Sequence, residues 1–264
     1  MKMNSMLPLH LFWFLLSAVL QLSFFSPIDL SSAPVHEEFI AHAGGEIRKF
    51  RYTNSLEALD NSYEKGFKIF ELDFELTSDG AVVLLHDWDY SMEHFYHAPP
   101  KRYSLREFKS LKLQDGLTQL EWKDFAAWLK EHPDARVVVD VKGNPLVILK
   151  KIKDLSPELA SRIIPQIYKF SQYRVARKMG FGNIILTLYA SDYSDKQIIK
   201  FAKNNPLWAV TVSADRALKS DLAKRLRDIG IYTYAHLVDT QKQLQKLKEL
   251  GVYGVYTAYL APGA

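Results

Sequence analysis

Short apolar runs alternate with amphipathic stretches from residue 38 to the end of the chain. The apolar runs have the length of β-strands, and the stretches between them carry apolar residues at helical spacing. An additional run, Ala81–Leu85, predicts a hairpin partner for the strand before it. Eight runs predict the main strands: Phe39–His42, Lys68–Phe74, Arg136–Val141, Ile163–Tyr168, Ile184–Tyr189, Trp208–Ser213, Ile231–His236 and Val252–Thr257.

Helices are predicted between most of these strands. Asn54 takes the N-cap position of the first helix, with Glu57 three residues later, a pairing that is typical of helix starts. Glycine at the end of a helix favours the left-handed turn that leads into a following strand, as at Gly180. The predicted helices span residues 54–65, 119–131, 145–154, 170–179, 193–204, 217–228 and 239–250.

Eight successive strand–helix units predict an α/β domain with the (β/α)8 TIM barrel fold over residues 38–264. A doubly wound open sheet is the alternative architecture. That fold would be expected to carry a glycine-rich phosphate loop after its first strand, and the segment His42-Ala-Gly-Gly is not that pattern. The barrel is therefore the favoured interpretation.

The first 25 residues differ from the rest, because Lys2 is followed by an almost uninterrupted hydrophobic run from Leu7 to Phe25. This pattern predicts a signal peptide or an N-terminal membrane anchor over residues 1–25, with a linker over 26–37. Cleavage and retention of the segment both remain open. Lys2 on the short N-terminal side predicts an extracytoplasmic domain, which is secreted or held at a membrane by this segment.

Composition excludes several classes of chemistry. The chain has no cysteine, so disulfides, cysteine-held zinc and thiol nucleophiles are excluded, and any metal must be held by oxygen or by oxygen and imidazole. The formal charge of +4 is spread thinly along the chain, which is typical of solvated helix faces, with weak attraction to anionic lipid as the alternative. Basic and aromatic residues do not interleave, so no nucleic-acid partner is predicted.

Carboxyl groups and a lysine stand at the ends of two predicted strands. Glu71 and Asp73 are two positions apart, so both side chains point to the same face, where they repel unless a cation lies between them. Asp140 ends the next main strand and is a third candidate ligand. Lys142, two residues later, is a candidate for contact with a phosphate oxygen. Oxygen ligation suits one divalent cation, Ca²⁺ or Mg²⁺.

Two histidines, His42 and His86, stand at neighbouring strand ends beside these carboxyl groups. A phosphodiester reaction needs a base for the nucleophile and an acid for the leaving oxygen, and imidazole suits both roles near neutral pH. His236 ends a later strand and is a further candidate for lining the pocket and contacting substrate. Because the active site of a barrel forms at the carboxyl ends of its strands, the set predicts metal-assisted phosphodiester chemistry there.

The segment from Asp87 to Tyr103 interrupts the alternation and is rich in aromatic residues. It follows His86 directly, so it is predicted to overhang the site. An ordinary packed excursion is one interpretation of the segment. The other is a lid or a lipid-facing wall.

The stretch from His42 to Asp87 resembles the glycerophosphodiester phosphodiesterase family, in the superfamily of phosphatidylinositol-phospholipase-C-like barrels. That family carries a His-Arg-Gly start, a Glu-Asn-Thr helix cap, a Glu-x-Asp pair followed by Thr-x-Asp-Gly, then a His-Asp and later a Glu-x-Lys. The corresponding segments of this chain are His42-Ala-Gly, Thr53-Asn54-Ser55, Glu71-Leu-Asp73, Thr77-Ser-Asp79-Gly80, His86-Asp87 and Asp140-Val-Lys142.

The resemblance implies a divalent metal on Glu71, Asp73 and Asp140, with His42 and His86 as the acid–base pair. Lys142, Asn54 and His236 are the candidates for binding substrate or its phosphate. The implied substrate is a small-molecule or lipid phosphodiester, and no protein partner is predicted.

Three positions depart from the family pattern: Ala43 replaces the arginine, Thr53 replaces the glutamate of the cap, and Asp140 is shorter than the usual glutamate. The His-Ala start and the Asp-x-Lys pair are similar instead to the sphingomyelinase-D-like phospholipases, lyases that expel an alcohol and form a cyclic phosphate. Two alternatives to hydrolysis therefore stand, namely such a lyase and a non-catalytic surface binding barrel.

Overall fold

The structure, a computed structural model, describes residues 35–263. The predicted leader over residues 1–25 and most of the predicted linker lie outside these residues. Within 35–263, none of the helices combines the length and the apolar character that crossing a bilayer requires.

Nine strands form one sheet, and eight of them close into a parallel barrel. Strand β1 pairs with both β9 and β2, which closes the ring, and the order around it is β1-β9-β8-β7-β6-β5-β4-β2. Strand β3 lies outside the ring, antiparallel to the end of β2, as the predicted hairpin requires. The strands are β1 (Phe39–Ala41), β2 (Ile69–Leu76), β3 (Val82–Leu84), β4 (Arg136–Asp140), β5 (Ile163–Ile167), β6 (Ile185–Thr187), β7 (Ala209–Ser213), β8 (Tyr232–His236) and β9 (Gly254–Thr257).

Helices follow the strands around the barrel, which confirms the predicted (β/α)8 fold. They are α1 (Leu56–Glu64), α2 (Tyr90–Phe95), α3 (Leu105–Ser110), α4 (Trp122–Glu131), α5 (Pro145–Leu155), α6 (Phe170–Lys178), α7 (Asp195–Asn204), α8 (Ala214–Lys219), α9 (Leu222–Arg227) and α10 (Gln241–Glu249).

Two predictions of local structure are wrong. The N-cap of α1 is Ser55, whose hydroxyl accepts from the backbone N–H of Ala58, and not Asn54, whose positive φ of 49° and side chain serve the barrel mouth instead. The helix predicted over 217–228 is divided into α8 and α9. Ser220 lies at the break, where its hydroxyl donates to Asp195 and accepts from the N–H of Leu222, so polar bonds replace a turn of helix.

Apolar residues pack in two layers around the strands. Inside the ring, a small cluster includes Ile69, Val138 and Tyr234, while a larger cluster fills the space between the strands and the helices. Ile69 and Val138 precede Glu71 and Asp140 by two residues, so the two acidic side chains continue the same inward-facing rows. The strands therefore direct carboxyl groups into the barrel at its carboxyl end.

The segment after His86 packs on a core of its own. Trp88, Met92, Tyr96 and Tyr103 are buried together with residues of β3 and α3, so most of the aromatic content of the segment is structural. Tyr90 is the exception, with half of its surface exposed. The excursion is thus a packed subdomain that presents one side of α2 to the barrel mouth.

Candidate active site

Three carboxyl groups meet at the carboxyl end of the barrel. Asp73 of β2 and Asp140 of β4 are partners in the strand register, and Glu71 lies two residues before Asp73 on the same face. Each of the three is 2% exposed, and one ligand oxygen from each lies within 4.8 Å of the others. The parallel register, together with the two-residue repeat of a strand, therefore assembles the predicted cluster.

The cluster is electrostatically crowded. Burial, and then the neighbouring charges of Asp73 and Asp140, raise the pKa of Glu71 well above its usual value. Burial also opposes ionisation of Asp73, but the positive charge of Lys142, together with the two histidines and the hydrogen bond from Asn54, lowers the pKa of Asp73. Lys142 therefore stabilises the carboxylate of Asp73, whereas the charged form of Glu71 is disfavoured by burial and by its acidic neighbours.

Lys142 bridges two of the carboxyl groups. Its Nζ lies 3.1 Å from Asp73 Oδ1 and 2.8 Å from Asp140 Oδ2. Burial disfavours the charge on this ammonium, but Asp73 and Asp140 more than compensate and raise the pKa of Lys142 above its usual value. The amine is charged at neutral pH and reaches the cavity, as expected for a phosphate-binding group.

Two tyrosines hold the shorter third carboxylate. The hydroxyl of Tyr168 donates to Asp140 Oδ1, and the hydroxyl of Tyr189 donates to Asp140 Oδ2 at 3.1 Å. The two hydroxyl oxygens are also 2.9 Å apart. Both oxygens of Asp140 are therefore oriented by donors, which fixes the direction of this side chain.

Hydrogen bonds also orient the carboxyl groups of Asp73 and Glu71. Asn54 donates from Nδ2 to Asp73 Oδ2 at 3.1 Å, and its Oδ1 accepts from the backbone N–H of Asp73 at 3.0 Å. The backbone N–H of Ala43 donates to Glu71 Oε2 at 3.0 Å. Asn54 is 1% exposed, so in this structure its amide supports Asp73 rather than facing the cavity.

His42 and His236 touch each other. Their Nε2 atoms are 3.1 Å apart, and His42 Nε2 is 3.7 Å from Glu71 Oε2. Burial lowers the pKa of His42 to about 4, and burial together with His42 lowers the pKa of His236 to about 4. Both rings are neutral at physiological pH, and in a neutral pair one Nε2 donates to the other.

His86 is the more accessible imidazole. Its Nδ1 is 2.5 Å from Asp87 Oδ2, and Asp87 Oδ1 accepts from the N–H groups of Asp89 and Ser91. Burial opposes ionisation of Asp87, but the bonds from His86 and these amides lower its pKa. Asp87 remains charged and fixes Nδ1 of His86 as a donor, so Nε2 is free to exchange a proton.

These side chains open into a cavity of about 400 Å³. It is lined by His42, Tyr52, His86, Tyr90, Ser91, Phe95, Lys142, Tyr189 and His236. The edge of Tyr52 meets His42, with ring centroids 5.0 Å apart, and lies 6.4 Å from the ring of His86. The predicted histidines and the lysine therefore line one pocket, and Lys142 connects it to the carboxyl cluster.

A protein-family comparison decides the class of this site. The model of the glycerophosphoryl diester phosphodiesterase family matches residues 43–261. The chain belongs to this family. The family assignment confirms the predicted phosphodiesterase class and favours an enzyme over the non-catalytic barrel.

Solved structures of glycerophosphodiester phosphodiesterases share the fold. The enzyme of Thermotoga maritima is 19% identical over 85% of this chain and 95% of its own, with a TM-score of 0.68. One from Parabacteroides distasonis is 19% identical over 84% and 92% of the two chains, with a TM-score of 0.66. A phosphodiesterase of Oleispira antarctica, solved with the product sn-glycerol-3-phosphate, is 14% identical over 84% and 93%, also at 0.66.

The donor set of this glycerophosphoryl diester phosphodiesterase fits a hard divalent cation. Three carboxyl groups lie around one ammonium, and burial together with the charges of Asp73 and Asp140 raises the pKa of Glu71, so added positive charge would stabilise its carboxylate. All candidate ligands are oxygens, which suits Ca²⁺ or Mg²⁺. The bonds from Ala43, Asn54 and the two tyrosines would orient those ligands.

Tyr168, Tyr189 and Tyr52 are site residues that the sequence interpretation did not single out. Tyr168 and Tyr189 each close a predicted strand, one or two residues past the last paired position. A tyrosine at the end of a predicted barrel strand can be recognised in the sequence as a candidate site residue. The side chain that such a tyrosine contacts, however, depends on which strands are neighbours, and the local sequence does not show the strand order.

Proposed function

We propose that this enzyme hydrolyses glycerophosphodiesters or related lipid headgroup phosphodiesters, with one divalent cation, Ca²⁺ or Mg²⁺, and with His42 and His86 as the acid–base pair. The observation that carries the proposal is the cluster of three buried carboxyl groups at a mouth that two histidines and Lys142 also line. The family match supports the diester class, and the product bound by the Oleispira antarctica protein supports a glycerol-containing substrate.

Glu71, Asp73 and Asp140 would hold the cation. A cation there supplies positive charge for a phosphoryl oxygen and makes a bound water more acidic. Lys142 lies between Asp73 and Asp140, and its ammonium is available on the cavity side to bind a second phosphoryl oxygen.

Hydrolysis joins the oxygen of water to phosphorus and breaks the bond from phosphorus to the leaving alcohol oxygen. One proton has to leave the water, and one has to reach the alcohol. His42 and His86 both line the cavity, and the ring of Tyr52 lies in edge contact with both. Since Asp87 anchors Nδ1 of His86, Nε2 of that ring is the atom that passes a proton to or from the reacting oxygens.

The cyclising lyase is less well supported as the reaction of this site. That reaction requires a mouth that admits intact lipid. The cavity measures about 400 Å³, and the apolar side chains of Trp88, Met92 and Tyr96 in the overhanging segment pack inward. A small pocket with Tyr90 and Phe95 at its edge favours a deacylated diester.

The place of action is proposed on the leader alone. We propose that the barrel works outside the cytoplasm, secreted or held at a membrane by residues 1–25, because of the hydrophobic run that follows Lys2. Protease treatment of intact cells that produce the full chain tests this. Loss of the chain without lysis, or its presence in the medium, is expected, and full protection would contradict the proposal.

His42→Ala and His86→Ala test the acid–base roles. Each is expected to lower turnover of a glycerophosphodiester by at least about 100-fold, the usual contribution of a positioned acid or base. The matched control is His97→Ala, because His97 is exposed and lies outside the cavity. Rates are read by ³¹P NMR, with thermal melts to verify folding. Wild-type rates in both active-site variants would refute the proposal.

A further inference from the structure

A second cavity adjoins the active site. Its volume is about 640 Å³, against about 400 Å³ for the first, and Lys142 and Tyr189 line both. The two cavities therefore lie on either side of a partition formed by these two side chains. Because Lys142 and Tyr189 also contact the carboxyl cluster, the reacting phosphorus would lie at that partition.

The two cavities differ in chemistry. The first presents the aromatic rings of Tyr52, Tyr90 and Phe95 beside the histidines. The second, which we call the donor cavity, has no acidic residue in its lining. Its polar lining residues outside the partition are Asn144, Tyr168, Lys169, Ser171 and Gln172.

Several hydrogen-bond donors that line this cavity have no acceptor among the described residues. Among the described residues, Lys169 Nζ has no ion-pair partner and the Ser171 hydroxyl has no hydrogen bond. The side-chain oxygens of Gln172 and Asn144 are occupied by backbone N–H groups, at 2.9 Å for Lys169 N to Gln172 and 3.2 Å for Leu146 N to Asn144. Among the described residues, their amide nitrogens have no acceptor and so remain available as donors.

We propose that the donor cavity binds the alcohol half of the diester, and that this half is a polyol of the inositol class. The proposal rests on the proposed function. A ring of hydroxyl groups offers many acceptors to an ammonium, a hydroxyl and two amides. A choline group offers none, and the charges of Lys142 and Lys169 repel it. The three-carbon glycerol half lies on the aromatic side.

Paired substrates test this assignment. Wild-type enzyme is expected to show a higher kcat/KM for glycerophosphoinositol than for glycerophosphocholine. Lys169→Met is expected to lower kcat/KM about tenfold for the inositol diester, the loss of one charge-assisted hydrogen bond. The same variant leaves the choline diester unchanged or faster, and Lys169→Arg retains the preference.

Lys178→Met is the matched control, because Lys178 lies at the exposed far end of the same helix. It is expected to behave as wild type with both substrates. If Lys169→Met changed the two kcat/KM values equally, or changed neither, the donor cavity would not select the alcohol, and the inference would be overturned.

A binding experiment separates this inference from the proposed function. Isothermal titration calorimetry measures the affinity of glycerophosphoinositol for His86→Ala, with and without Lys169→Met. If the wild type turns over no diester but Lys169→Met still weakens binding about tenfold, the proposed hydrolysis is overturned and the cavity assignment stands. If Lys169→Met leaves the affinity unchanged, the assignment fails whatever the turnover.

Discussion

Tyr168→Phe removes one of the donors that orient Asp140 without changing the charge of the site. A hydrogen bond to a charged acceptor contributes about 1.5 to 3 kcal/mol, and loss of such an outer partner lowers metal affinity about 10 to 100-fold. Tyr189 and Lys142 continue to bind Oδ2 in the variant. We therefore expect the lower end of this range, about a tenfold weaker Kd for Ca²⁺ or Mg²⁺.

Calorimetric titration of the metal-free protein measures this Kd directly. Tyr173→Phe is the control, because Tyr173 donates to a backbone carbonyl, that of Pro206, away from the carboxyl cluster. In the double variant with Tyr189→Phe, the losses are expected not to add, because the two hydroxyls hold the same carboxylate and their oxygens are 2.9 Å apart. An unchanged Kd in Tyr168→Phe would show that Asp140 is not a ligand or is held by other means.

Three other perturbations give distinct results. Glu71→Gln is expected to raise the Tm of the metal-free protein at neutral pH by a few degrees. Because the pKa of Glu71 is raised in the folded state, this gain in Tm should shrink as the pH falls towards about 4. A gain in Tm that grows at low pH would contradict the raised pKa. Lys142→Met should slow turnover at least about tenfold yet tighten metal binding in calorimetry, because a competing cation is lost; weaker binding would contradict this. Ser194→Ala, at the N-cap of α7, should cost about 1 kcal/mol in urea unfolding with kcat/KM unchanged, and full stability would refute the capping role.

The barrel could be predicted because strand and helix signals alternate without ambiguity in this chain. Each strand carries an apolar row that must be buried, and the inward row of β2 continues from Ile69 into Glu71 and Asp73. Where local signals compete, prediction failed. Asn54 is as good a cap as Ser55, and only the position of Asp73 on the neighbouring strand β2 shows which of them begins the helix.

The charged residues and the histidines of the site could be predicted from the sequence, but the residues that orient them could not. Carboxyl groups two residues apart on a strand point to the same face. The two predicted catalytic histidines directly follow predicted strands or end them. The tyrosines that hold Asp140 follow the ends of β5 and β6, and they reach it only because these strands lie beside β4 in this order in the sheet. The contact between His42 and His236 likewise joins the first and eighth strand positions, 194 residues apart in sequence.

Metal-dependent turnover tests the central claim most directly. The full chain is incubated with a glycerophosphodiester in Mg²⁺, in Ca²⁺ or in chelator, beside a variant with Asp73→Asn and Asp140→Asn, and products are followed by ³¹P NMR. We expect the wild type to form sn-glycerol-3-phosphate only with metal, and the variant to form no sn-glycerol-3-phosphate. A persistent cyclic phosphate would indicate the lyase, and equal turnover by both proteins or in chelator would contradict a carboxylate-held cation in this site.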